Sequence, residues 1–393
     1  MTEPTEAVAA TPRPSRRAIL TGALGGAAGL AAGVGGMAIA RPVAPAPAPT
    51  RPVDSTSAGA AVPAAGTHQG GIHSPVTPQR FGRIAVYALP SVDIAWLAAL
   101  GERILDITST TSAHAFLPDG PGDLTITVGI GPRLVAAIDP ALPGAEDLPA
   151  FVGDGAIPES ARGGDLLLAA HSSDPTVLGA VLADLAGIVP GADPRWQQFV
   201  FRGVGEGSKA RNPLGFMDGI IVPRSTAELD ENVWIDSGRL AGGTICVIRR
   251  LELDTTAFRT LPVVDREAVI GRNLADGSPL SGGGPDDEVD LVAKSPEGTL
   301  LTPVASHARA AHPSFTGSAL MLRRSYSFES DDAQGLLFIA FQRDLRTFVS
   351  TQHRLDEVDA LLQFTRQTAS ATFLILPGFD AATPLGAALA AEQ

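Results

Sequence analysis

Short, mostly apolar stretches separated by segments rich in Gly, Pro and Asp recur along the chain from about residue 83. Three of them, residues 83–89, 123–130 and 165–171, have the pattern of β-strands. Residues 123–130 place an apolar side chain at every second position, which predicts a half-buried strand. Residues 92–107 and 175–188 repeat their apolar positions with the period of a helix.

A second set of elements follows near residue 240. Residues 242–250, 335–341 and 371–376 are predicted strands, and residues 254–261 and 358–365 are predicted helices. Strands and helices interleave without the glycine fingerprint of a dinucleotide fold. We therefore predict an α+β architecture with two halves, 79–240 and 241–393.

The first 40 residues have the pattern of an export signal. Ser15-Arg16-Arg17-Ala18-Ile19-Leu20 resembles a twin-arginine motif, and an uncharged Ala/Gly/Leu stretch follows as far as Ala40. A membrane anchor is the alternative, but so much glycine and alanine partitions weakly into hydrocarbon, so we expect no stable anchor. Ala38-Ile39-Ala40 offers a cleavage site. We expect the twin-arginine translocase to export the folded chain to an extracellular or periplasmic location.

Residues 41–78 are rich in Pro and Ala and are predicted to form a disordered linker. His68 and His73 lie in this stretch, where a flexible backbone would preorganise no metal site.

Charge and cysteine content exclude some functions. The formal net charge of -13 disfavours a nucleic-acid partner. The single cysteine, Cys246, has no intramolecular disulfide partner, and its apolar neighbours predict a buried, inert thiol.

Three segments carry candidate chemistry. In Gly215-Phe216-Met217-Asp218-Gly219 the glycines allow the backbone to approach a flat ligand beside Asp218, although Asp218 taken alone is better explained as a turn-stabilising residue. Ser306-His307-Ala308-Arg309 contains a histidine that, by itself, is compatible with a structural role. Leu322-Arg323-Arg324-Ser325 contains two adjacent arginines.

Taken together and in this order, the three segments resemble those of the dye-decolourising haem peroxidases, especially the branch exported by the twin-arginine route. Residues 271–273, 277–280, 335–344 and 373–378 extend the resemblance from about residue 80 to the end. It implies two ferredoxin-like domains with antiparallel sheets in a dimeric α+β barrel-like arrangement. The first domain would end with the G-x-x-D-G motif, and haem b (iron protoporphyrin IX) would lie in the C-terminal half.

The resemblance also implies roles for individual residues. His307 would be the iron ligand, with Asp359 as its carboxylate partner, and Asp218 with Arg323 would act on peroxide. Arg324 is the alternative to Arg323. The residues expected to bind the cofactor are Gly219, Ile220, Ile221, His307, Arg309, His312, Arg323, Leu336, Phe338 and Asp359. Ile220-Ile221 stands where relatives usually carry threonine and asparagine, and Ser314 where an arginine is frequent.

The implied activity is the reduction of hydrogen peroxide to water through a ferryl intermediate, coupled to oxidation of dyes, phenols or other small organic electron donors. The alternative is a haem-binding protein that removes iron from haem or carries haem. The resemblance sets no oligomeric state.

Overall fold

The computed structural model describes residues 59–205 and 207–390, so the predicted signal at residues 1–40 lies outside the described residues. The strands in the described ranges are β1 (Phe81–Ala88), β2 (Thr125–Ile130), β3 (Leu166–Ser172), β4 (Asp193–Phe201), β5 (Ala210–Arg211), β6 (Met217–Asp218), β7 (Thr244–Leu253), β8 (Leu322–Arg323), β9 (Tyr326–Glu329), β10 (Gln334–Gln342) and β11 (Thr365–Ile375).

The α-helices in the same ranges are α1 (Trp96–Thr108), α2 (Pro132–Ile138), α3 (Leu178–Ala186), α4 (Thr226–Asn232), α5 (Thr255–Thr260), α6 (Val263–Ile270), α7 (His307–Ala310), α8 (Pro313–Thr316) and α9 (Leu345–Val358). Short 3₁₀ helices occupy Asp154–Ala156, Glu159–Ala161, Ala360–Phe364 and Ala387–Leu389. Within the described ranges, no helix combines the length and apolar character needed to cross a bilayer.

Two four-stranded halves build one closed antiparallel barrel. The first half has the order β2-β3-β1-β4, and the second has the equivalent order β9-β10-β7-β11. Each half follows the β-α-β-β-α-β succession of a ferredoxin-like fold. Pairing of β2 with β11 and of β4 with β9 joins the halves, which confirms the predicted α+β barrel.

Side chains alternate between the barrel interior and an outer layer of helices. On β10, Leu337, Ile339 and Phe341 belong to the interior cluster, whereas Leu336 and Phe338 face the opposite way. The expectation of a half-buried β2 was wrong, because all six of its residues are buried. Ile126, Val128 and Ile130 pack under the helices. On the interior side Thr127 is covered by the segment before β1, where its Oγ1 donates to the Gly70 carbonyl at 2.7 Å.

The disordered linker predicted for residues 41–78 is not present in its described part, residues 59–78. Gln69 Nε2 donates to the carbonyls of Val128 and Leu376, at 3.1 Å each, and Gln69 Oε1 accepts from Val128 N at 2.8 Å. Ile72, 1% exposed, enters the interior cluster. Composition indicates only that this segment would not fold by itself. Its hydrogen bonds to the backbone of the barrel strands hold it in place.

Two other predictions were tested by local structure. The predicted burial of Cys246 is confirmed, and burial raises the pKa of its thiol, which favours the protonated, unreactive form. The helix predicted for residues 358–365 was misplaced. A 14-residue helix, α9, ends at Val358, and residues 360–364 form a 3₁₀ turn.

Candidate active site

A cavity of about 240 Å³ lies on the outer face of the C-terminal half of the barrel. Its walls come from the strand ends of β6, β7, β8 and β10 and from helices α6 and α7. Of the residues predicted to bind a cofactor, those that line it are Gly219, Ile220, Ile221, His307, His312, Arg323, Leu336 and Phe338, together with Asp218.

His307 is the first residue of α7 and presents one edge of its imidazole to the cavity. Its Nδ1 lies 2.7 Å from Oδ2 of Asp359, whose side chain is 1% exposed. The backbone bond from Ala360 N to Ala305 O, 2.9 Å, ties the two segments together. With Nδ1 engaged by the carboxylate, Nε2 is the nitrogen available to a ligand in the cavity.

The charge of Asp359 sets the basicity of this imidazole. Burial opposes protonation of His307, but the Asp359 carboxylate, through its charge and its hydrogen bond, outweighs burial and raises the histidine pKa. Arg323 and Asp218 are near enough for their charges to act on the same ring. His307 is thus a basic imidazole, and a basic imidazole is a good ligand for haem iron.

Asp218 sits on a small hairpin formed by β5 and β6 at the mouth of the cavity. Its Oδ1 accepts from Gly219 N at 2.6 Å, which leaves Oδ2 for a substrate. Gly219 has φ +75, and a Cβ there would stand 2.1 Å from the carbonyl oxygen of Ser208. Glycine is therefore required for the hairpin to pass this close to the neighbouring backbone.

The two adjacent arginines, the last residue of β8 and the residue after it, face opposite sides of the barrel wall. Arg323 lines the cavity beside Asp218, whereas Arg324 is 4% exposed and lines a separate cavity in the barrel interior. Consecutive residues of a strand point to opposite sides. The structure therefore places Arg323, not the alternative Arg324, at the candidate site.

The residues present fit haem. Leu336, Phe338, Ile220 and Ile221 give apolar walls for a flat macrocycle. One imidazole nitrogen faces this apolar space, and a carboxylate and a guanidinium line it too. That donor set matches single-histidine ligation of haem iron with polar groups left over for chemistry.

Comparison with known proteins also indicates a haem protein. The family model of the C-terminal part of Dyp-type peroxidases matches residues 209–380. A dye-decolorizing peroxidase of Thermobifida fusca (strain YX) is 36% identical over 284 residues, 65% of this chain and 65% of that protein. A DyP-type peroxidase from Cellulomonas bogoriensis superimposes with a TM-score of 0.76 at 30% identity, covering 85% of this chain and 99% of the other.

This chain belongs to the DyP-type peroxidase family. Membership assigns haem as its cofactor class and peroxidase as its enzyme class. A deferrochelatase of Shigella sonnei (strain Ss046) also aligns, with 29% identity over 68% of this chain and 69% of that protein. The iron-handling alternative therefore lies inside the same family and gains no separate support.

Two predicted cofactor residues of this DyP-type peroxidase do not line the cavity. Arg309 donates to the Leu291 carbonyl at 2.5 Å and packs over the Phe315 ring, so its guanidinium is held outside the cavity. Asp359 stands behind His307 and reaches the cavity only through that ring.

Several lining residues were not assigned from sequence, among them Arg272 and Glu288. Arg272 is 7% exposed and donates to the carbonyls of Gly277 and Asp287, at 2.9 Å each. Glu288 Oε2 lies 3.5 Å from Nε2 of His312. The family-like stretch around Arg272 was a usable signal, whereas Glu288 falls in an irregular loop with no pattern.

Proposed function

We propose that this DyP-type peroxidase holds haem on His307 Nε2, reduces hydrogen peroxide, and oxidises a dye, phenol or other small organic donor. One observation carries the proposal: the carboxylate-backed imidazole of His307 lines the same cavity as Asp218 and Arg323. Haem supplies the redox chemistry when it is bound. The residues of this chain bind the cofactor, exclude water and move a proton.

The proton is moved by Asp218. Its Oδ2 takes the proton from one oxygen of hydrogen peroxide and returns it to the other, which leaves as water. Arg323 stabilises the negative charge that develops on the departing oxygen. A smaller cavity shares Asp218 and Arg323 with the main one and is also lined by Arg202 and Ser325, which gives a small molecule such as peroxide space beside both groups.

Absorption spectra before and after peroxide test these roles. We expect His307→Ala to lose the Soret band of bound haem, and Asp218→Ala to keep haem but react with peroxide about 10²–10⁴-fold more slowly. Arg323→Gln should slow the reaction about 10²-fold or more. Arg324→Gln is the matched control, because the same change one residue later faces the barrel interior and should leave the rate near wild type.

A peroxide reaction in Asp218→Ala as fast as in wild type would remove the proton-transfer role. Negligible dye or phenol oxidation by haem-loaded wild type, with iron released from the cofactor, would instead support the iron-handling alternative.

Export by the twin-arginine translocase to an extracellular or periplasmic location is the second part of the proposal. Its support is the Ser15-Arg16-Arg17 motif and the uncharged stretch after it. In the full chain, replacing both Arg16 and Arg17 with Lys should stop export, whereas Arg13→Lys, outside the pair, should not. Unchanged export of the double variant would contradict this part.

A further inference from the structure

The barrel interior holds a small polar cluster inside an otherwise apolar core. Arg324, His171 and Tyr326 line a cavity with room for about one water-sized particle, and its remaining walls include Leu167, Ile248 and other apolar side chains. None of these residues lines the haem cavity. The cluster is therefore separate from the active site.

Arg324 is a buried cation without a carboxylate partner in the described ranges. Its guanidinium is 4% exposed and donates through Nη2 to the Pro75 carbonyl at 2.9 Å. No described carboxylate forms an ion pair with it, whereas the equally buried Arg249 is paired with Asp154. A buried charge needs a counter-charge, because transfer out of water costs several kcal/mol per ion.

A second guanidinium, that of Arg202, lies near both this cluster and the smaller cavity that contains Asp218, whose charge acts on it. Arg202, 9% exposed, lies 5.6 Å from the centre of the Tyr326 ring. Burial, offset in part by Tyr326 and reinforced by Arg202, lowers the pKa of Arg324 to about 10. That value still leaves Arg324 charged at neutral pH, so the positive charge persists in the core.

His171 points into the same cavity with unused hydrogen-bonding capacity. Its ring is stacked on Tyr326 at 4.9 Å between centres, and neither Nδ1 nor Nε2 has a hydrogen-bond partner. On β1, Gly82 makes room for it, because a Cβ there would stand 2.5 Å from His171 Cδ2. A donor N–H aimed at a cavity beside a cation is the arrangement that binds an anion.

We propose that the cavity between Arg324 and His171 binds one chloride-sized monovalent anion. A water molecule would satisfy the hydrogen bonds but would leave the guanidinium charge uncompensated. The segment 59–78 covers the site, since Gly71 lines the cavity and Pro75 binds Arg324. The ion is thus a structural component enclosed when this segment docks.

Anomalous diffraction tests the site directly. Crystals of the haem-loaded protein are grown with bromide present throughout, because the covering segment hinders soaking. We expect an anomalous peak next to the Arg324 guanidinium and the His171 ring. A cavity that is empty or holds only water under these conditions overturns the proposal.

Thermal unfolding gives an independent test in solution. Replacing sodium gluconate, whose anion is too large for the cavity, with sodium chloride at equal ionic strength should raise the wild-type Tm by about 1–3 °C with saturation. The rise should vanish in Arg324→Met and shrink in His171→Phe, which keeps an aromatic ring against Tyr326.

Arg250→Met is the matched control. Arg250 is also a barrel arginine, but it is paired with Glu252 at 2.7 Å. Its variant should melt at a lower temperature and still respond to chloride. An equal response to chloride in Arg324→Met and wild type would contradict the proposal, as would a wild-type Tm that does not distinguish the two anions.

Discussion

The carboxylate behind His307 is the residue whose replacement tests the proximal side most cleanly. Asp359→Asn keeps an oxygen for the bond from Leu361 N, 2.9 Å, but removes the charge that raises the His307 pKa. A less basic imidazole binds iron more weakly, and loss of such a partner typically costs about 10–100-fold. We expect haem affinity to fall by that factor and the iron reduction potential to rise, measured by haem transfer to apomyoglobin and by redox titration.

Asp344→Asn is the control for this substitution. Asp344 caps the other end of α9 and accepts from Arg346 N at 2.9 Å, away from the cavity. It should leave both quantities at the wild-type values. An Asp359→Asn protein with wild-type affinity and potential would show that the carboxylate only orients the ring.

Residue-level assignments from the sequence depended on which neighbour each side chain meets. His307, Asp218 and Arg323 lie in linked motifs, so their identity was accessible. The choice between Arg323 and Arg324 depends on which residues of this segment face the barrel interior. Because Leu322 faces the interior and side chains alternate, Arg323 faces outward and Arg324 inward. Arg309 lies in a family-like motif, but the sequence does not indicate that its guanidinium donates to the Leu291 carbonyl.

At the scale of the element, the β5–β6 hairpin holds Asp218 in place, and Gly219 is its strained position. Gly219→Ala forces a side chain into a left-handed backbone and against the Ser208 carbonyl. We expect a loss of about 1–3 kcal/mol of unfolding free energy and a slower peroxide reaction as Asp218 is displaced. Chemical denaturation and stopped-flow spectra measure the two effects.

Gly203→Ala provides the comparison, at a glycine in the connection from β4 to β5, just before the hairpin. A Cβ there meets nothing within 4 Å, and its φ is not left-handed. It should change stability by less than about 0.5 kcal/mol. Equal effects of the two substitutions would contradict the role given to the hairpin backbone.

Element prediction succeeded where periodicity was strong and failed where tertiary contacts decide. The barrel strands β1, β3 and β10 are apolar runs with clear ends, and sequence located them. Helix α9 was not predicted in its actual place, because most of its residues are polar and its buried apolar residues are only Leu345 and Phe348. Residues 59–78 were mistaken for a linker because their order comes from bonds to distant strands, as for Gln69.

At the scale of the whole molecule, the closed barrel separates two environments. Its outer face carries the haem cavity with Asp218 and His307, and its interior carries Arg324 and His171. Strand β10 supplies side chains to both through its alternation, Leu336 and Phe338 to the haem cavity and Ile339 and Phe341 to the interior. Changes in the interior are therefore expected to act on stability more than on the reaction with peroxide.

The interior histidine gives that expectation a pH dependence. Burial, followed by the charges of Arg324 and Arg202, lowers the pKa of His171 to about 3, against 6.5 without these effects. Above pH 6.5 both the folded and the unfolded chain hold the ring neutral, so its contribution to stability is complete. Below pH 6.5 the unfolded chain takes up a proton that the folded chain refuses until about pH 3, so stability falls with pH across this window.

The expected loss from this one group is about 2 kcal/mol at pH 5 in halide-free buffer, since each pH unit is worth about 1.4 kcal/mol. His171→Phe removes the titrating group and keeps the stacked ring. Between pH 7 and pH 5 its free energy of unfolding should therefore fall by about 2 kcal/mol less than that of wild type. The exposed His353→Gln should retain the wild-type profile. Denaturant unfolding at both pH values measures this effect. Parallel profiles for wild type and His171→Phe would mean that His171 titrates alike in the folded and unfolded states. If an anion occupies the cavity, added chloride should reduce the difference between the two proteins in this loss of unfolding free energy.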